Sequence, residues 1–119
     1  MKRTFVESRV FSAEWRALEK SGEVSWSALA MLQNEIMATP QAGDVVQGTG
    51  GLRKIRLGQP SQGRGKRGGC RVLFLDLPHV SSTHLLAVFG KREKADISPQ
   101  ERAILAAMVR QLKKETSHE

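Results

Sequence analysis

The sequence predicts a small α+β domain: a curved antiparallel sheet with an N-terminal helical hairpin and a C-terminal helix. Three observations lead there. Apolar residues recur at helical spacing twice before residue 40. Two nearly continuous apolar runs, residues 70–77 and 83–90, then read as central strands covered by helices. A complete helix-start signature, Ser98-Pro99-Gln100-Glu101, opens the last element.

Taken in order, residues 3–6 (Arg-Thr-Phe-Val) read as a short first strand. From Ser8, Phe11, Trp15 and Leu18 fall on one helical face that Gly22 ends. Ser25 is the expected N-cap of a second helix with Leu29, Leu32 and Ile36 as its buried stripe, and Thr39-Pro40 stops it. The short connection at Gly22 predicts that the two helices pack as an antiparallel hairpin. Beyond Gly43-Asp44 the pattern turns to strands at 52–57, 70–77 and 83–90. Pro78 and Ser81-Ser82 supply a turn, so the last two strands should pair as antiparallel neighbours. In the final helix Pro99 stands at N1, and Ile104, Leu105, Met108, Val109 and Leu112 form the apolar face. Lys113 and Lys114 suit the C-terminal dipole. The order β-α-α-β-β-β-α places the helices on one face of the sheet.

At 119 residues the chain fits one domain, 1–119, with 39% hydrophobic and 26% charged residues. No apolar run approaches the ~18–20 residues of a membrane span. The start, MKRTFVESRVF, lacks the apolar core of a signal peptide. A single cysteine, Cys70, makes no internal disulfide, which predicts a cytoplasmic protein.

Charge is the most specific signal. The formal net charge is +7, and between Val45 and Leu75 stand Arg53, Lys54, Arg56, Arg64, Lys66, Arg67 and Arg71 with no Asp or Glu. Eight of the eleven glycines share that stretch. Clustered cations on closely approachable backbone fit a polyanion such as nucleic acid, although an acidic protein would answer the same charge. Strand alternation puts Lys54 and Arg56 on one face, with Arg53, Ile55 and Leu57 on the other. If the strands are neighbours, Lys54, Arg56, Arg71, Phe89, Lys91 and Arg92 converge. That surface offers guanidinium forks for phosphate and an aromatic ring for a base. Taken alone, Lys54 and Arg56 read equally well as edge-strand charges that discourage aggregation.

Other motifs fail on context. Gly63-Arg64-Gly65-Lys66-Arg67-Gly68 fits a dinucleotide-binding pattern, but a strand follows where a helix is needed. His79, His84, His118 and Cys70 have no metal-ligand spacing, so neither a metal nor a cofactor is expected.

The chain resembles the RelE/HigB family of toxins from type II toxin–antitoxin modules, in particular its HigB-like branch. The likeness runs from RTFVESRVFSAEW through PQAGDVVQGTGGLRKIRLGQ and GKRGGCRVLFL to LLAVFGKREKADISPQER. It implies a ribosome-dependent, metal-independent endoribonuclease that cuts mRNA in the A site. The implied partners are mRNA, the ribosome with its rRNA, and an antitoxin, here a HigA-like helix-turn-helix protein. No membrane partner is implied. Residue by residue, Lys54, Arg56, Arg71 and Lys91 take the catalytic positions, and Arg53, Arg64, Lys66, Arg67, Phe89 and Arg92 bind RNA. The implied reaction is attack of a ribose 2′-OH on the adjacent phosphodiester. Lys54, crowded by cations, would be the base, Arg56 and Arg71 would stabilise charge, and Lys91 would be the acid. Several members place a tyrosine in the site; this chain has none, so Phe89 keeps only a stacking role. A ParE-like gyrase inhibitor and a non-catalytic RNA-binding module are the alternative readings.

Overall fold

A computed structural model describes residues 3–57, 69–90, 94 and 96–117. The elements are β1 (Thr4–Glu7), α1 (Arg9–Ser21), α2 (Ala28–Ala38), β2 (Asp44–Val45), β3 (Arg53–Leu57), β4 (Cys70–Leu77), β5 (Ser82–Phe89) and α3 (Pro99–Thr116). A 3-10 turn, Pro78–Val80, joins β4 to β5.

The first helix forms as its sequence dictates. Ser8 Oγ accepts from the Phe11 N–H at 2.9 Å, and Gly22 closes the helix at φ 83, a conformation that favours glycine. Phe11, Trp15 and Leu18 are the buried residues, and the Phe11 and Trp15 rings stack at 5.7 Å. The second helix starts later than expected. Ser27, not Ser25, stands at its N-cap, and the two hydroxyls pair with each other at 3.2 Å instead of capping backbone. Leu32 and Ile36 are buried as expected, with Ala28 buried and Leu29 half-buried.

Among the described residues the sheet has five strands in the order β1-β5-β4-β3-β2. It is antiparallel except at β1, which runs parallel to β5. The helices do not share one face, which corrects the sequence-based expectation. Phe11, Trp15, Leu32 and Ile36 pack with Ile55, Val72, Phe74 and Val88 in one core. Leu105 and Val109 of α3 pack with Leu73, Leu75, Leu77 and Phe89 in a second. The physical cause lies in β4, whose side chains are apolar on both faces and therefore need cover on both.

A bulge lies between the pairs Leu73↔Ala87 and Phe74↔Leu85, with Leu86 as the extra residue on β5. Leu86 and Ala87 consequently both join the α3-side core. Beyond the end of β1, side chains satisfy the free edge of β5. Ser8 Oγ donates to the Leu86 carbonyl at 2.8 Å, and Glu14 accepts from the Val88 N–H at 2.9 Å.

The capping box of α3 is complete: Glu101 N–H donates to Ser98 Oγ at 3.1 Å, and Ser98 N–H to Glu101 Oε1 at 2.8 Å. Ile104, expected on the buried face, is exposed, while Ala106 joins Leu105 and Val109 inside. Ser98→Ala is expected to lower stability by about 1 kcal/mol in urea unfolding. The Glu101 carboxyl titrates below the usual glutamate range, because Lys94 and the Ser98 N–H donate to it. A folded-state value that is depressed contributes stability above the unfolded pKa and loses it as pH falls through the folded one. Glu101→Gln should therefore lessen the loss of stability as the pH falls below the ordinary glutamate pKa of about 4.3.

Candidate functional site

Alternation along β3 sends Ile55 and Leu57 into the α1/α2-side core, so Lys54 and Arg56 project from the α3 side. The register then builds the site. Lys54 stands opposite Leu73, Arg56 opposite Arg71, and Arg71 opposite Phe89. Directly opposed residues share a face, so Arg56, Arg71 and Phe89 form one row across three strands, with Lys54 beside it. Arg56 is exposed. Arg71 is only 8% exposed, and its Nη1 donates to the Gly69 carbonyl at 2.8 Å. No carboxylate pairs with Arg56 or Arg71 among the described residues.

Lys54 is held differently. Its Nζ lies 3.3 Å from Asp96 Oδ1 in the connection that leads to α3. Asp96 Oδ1 also accepts from the Ile97 N–H at 2.8 Å. That hydrogen bond first, and Lys54 second, hold the Asp96 carboxyl below the usual carboxylate range against the opposing effect of burial. Arg102 of α3 adds a weaker pull, and its Nε is buried without a hydrogen-bond partner among the described residues. Lys54, Asp96, Arg102, Asp44 and Gln47 line a pocket of about 210 Å³, together with Val45 and Val46. Next to it the backbone at Gly43 packs closely on β3: a Cβ there would run into the Lys54 carbonyl.

The structure thus brings together Lys54, Arg56 and Arg71. It does not bring Arg53 to them. Arg53 projects to the opposite face, where its Nη1 donates to the carbonyls of Gln41 at 2.8 Å and Gly43 at 3.3 Å. The stacking role expected of Phe89 is corrected as well. The ring is 1% exposed beneath α3, and the Lys94 ammonium sits 5.2 Å from its centroid. Arg64, Lys66, Arg67, Lys91 and Arg92 lie outside the described residues.

The remaining chemically active side chains lie elsewhere. His79 Nε2 is 3.1 Å from Thr116 Oγ1. His84 stands among Val6, Ser8, Leu86 and Met108, where burial lowers its pKa and Glu115 partly opposes the shift. Cys70 belongs to the α1/α2-side core. No group of three or more His, Cys, Asp or Glu among the described residues is placed to hold a metal ion. No described helix is long and apolar enough to cross a membrane.

Asp96 and Arg102 are not among the site residues that the sequence predicts, because they stand on no strand and instead flank the capping box of α3. The available signal was that box, which fixes where α3 begins and so which side chains stand at its entrance.

No protein-family model matches the sequence. Two solved structures are similar in shape. One is an arginine-to-alanine double variant of E. coli toxin RelE in the free state, 14% identical, with a TM-score of 0.56 over 91% of this chain and 97% of that one. The other is the conserved hypothetical protein HP0892 from Helicobacter pylori, 15% identical, with a TM-score of 0.55 over 77% of this chain and 98% of that one. At these identities the likeness is one of fold, and the fold is that of the RelE toxin.

Proposed function

We propose that this chain is the toxin of a type II toxin–antitoxin module and cleaves mRNA in the ribosomal A site without a metal. The observation that carries this reading is the direct opposition of Arg56 and Arg71 on adjacent strands. Like charges so placed destabilise a sheet, and no described carboxylate relieves them. An arrangement unfavourable for the fold is what an anion site requires: two guanidinium groups positioned before the anion arrives.

The chemistry follows from the substrate. A ribose 2′-OH attacks the adjacent phosphorus, the P–O5′ bond breaks, and the products are a 2′,3′-cyclic phosphate and a 5′-OH. Arg56 and Arg71 stabilise the charge that accumulates on the phosphorane oxygens. Lys54 adds a third cation two residues along β3. The family resemblance assigns Lys91 the leaving-group proton and gives Arg64, Lys66, Arg67 and Arg92 contacts to RNA. The partners in this reading are mRNA, the rRNA of the A site and a HigA-like antitoxin, and the chain belongs to the HigB-like branch.

Primer extension on mRNA bound to programmed ribosomes tests the proposal. Adding the purified chain should produce cuts in register with the codon in the A site. Binding to ribosomes that leaves the mRNA intact would instead identify a non-catalytic RNA-binding module. DNA breaks in expressing cells with intact mRNA would identify a gyrase inhibitor.

A further inference from the structure

We infer that Asp96 is the proton acceptor of the reaction and that Lys54, its ion-pair partner, is the proton donor. This assignment rests on the endoribonuclease reading, reverses the part first expected of Lys54, and replaces Lys91 as the source of the leaving-group proton. An ammonium paired with a carboxylate 3.3 Å away has no lone pair to offer a hydroxyl. The carboxylate does.

The surroundings leave few other acceptors. Among the described residues, His79 and His84 lie away from the Arg56–Arg71 row. Glu101 is engaged by Lys94 and by the Ser98 N–H. Asp44 stands opposite Lys54 on β2 and lines the same pocket, but among the described residues it makes no ion pair with Lys54; Asp96 does, and its side chain is 53% exposed, open to an incoming strand. It remains ionised at neutral pH, so the acceptor form is always present.

The proton balance closes on the pair. Asp96 takes the 2′-OH proton as the O2′–P bond forms. Lys54 gives a proton to O5′ as the P–O5′ bond breaks. The proton on Asp96 then passes across the short gap to the Lys54 amine, which restores carboxylate and ammonium without an external acid or base. Arg56 and Arg71 remain charge stabilisers throughout.

The test is single-turnover cleavage of mRNA on programmed ribosomes by the full chain and its variants. Asp96→Asn keeps a side-chain oxygen for the Ile97 N–H, so the entrance to α3 is retained. Its cleavage rate constant should fall about 100-fold or more. Its half-saturating concentration should be unchanged or lower, because one negative charge has left the RNA path. Asp96→Glu, which keeps a carboxylate, should recover most of the rate. Asp96→Asn cleaving as fast as the unaltered chain would overturn the assignment and leave Asp96 as an ion-pair partner that RNA displaces. Equal losses in the Asn and Glu variants would overturn it too, by showing that position and not proton transfer matters. If the unaltered chain does not cut mRNA, the endoribonuclease reading and this assignment fall together.

Discussion

Arg71→Ala is expected to slow mRNA cleavage by about 100- to 1,000-fold, the usual cost of removing one group that stabilises developing charge. Arg71 stands at the centre of the row, opposite Arg56 on one side and Phe89 on the other. Its guanidinium is buried and already oriented by the Gly69 carbonyl, so it loses little freedom when a phosphate binds. Arg71→Lys keeps the charge but not the planar fork and should recover only part of the rate. Arg71→Met separates function from folding, because it keeps a long apolar stem beneath the site. It also removes the repulsion with Arg56, so its thermal melt should match or exceed that of the unaltered chain while cleavage stays as low as in Arg71→Ala. Primer extension on ribosomes and a melt followed by circular dichroism measure the two effects. An Arg71→Met variant that folds and still cuts at the normal rate would remove Arg71 from the reaction.

Much of this arrangement is legible in the sequence, because it depends on local rules. The alternation of β3 assigns Lys54 and Arg56 to one face, and the Ser98 box fixes the start of α3. Both are properties of a few consecutive residues. What was missed is long-range. The parallel pairing of β1 with β5 joins residues some eighty positions apart, and no local pattern encodes it. The side of the sheet on which α3 packs is equally nonlocal. The expectation that all helices share one face left the other face open, and Phe89 then looked available to RNA. Once α3 covers β5 and the inner part of β4, Arg56 on β3 stays exposed and Lys54 half-buried, while Arg71 on β4 is itself buried beside them. The misplaced helix and the misread phenylalanine are therefore one error. Asp96 escaped notice for a related reason: it reaches Lys54 across forty-two residues of sequence, a contact that exists only after α3 has docked.

Phe89 provides the sharpest contrast between a core residue and a stacking platform. It belongs to the largest fully buried side chains and packs with Leu73, Leu86, Ile97 and Leu105. Phe89→Ala should destabilise the fold by about 3–5 kcal/mol, through lost burial and the cavity left beneath α3. The size of the loss depends on how far α3 can settle into the space left behind. Phe89→Leu keeps an apolar side chain of similar reach and should cost less than about 1.5 kcal/mol. Urea unfolding, followed by the fluorescence of buried Trp15, measures both changes. The functional readout decides between the roles. A leucine has no π face for a base, so a stacking Phe89 would show weaker binding and slower cleavage in Phe89→Leu. A core Phe89 predicts normal cleavage in that variant at temperatures where it is folded. Normal cleavage with leucine, together with a large stability loss with alanine, is the expected result.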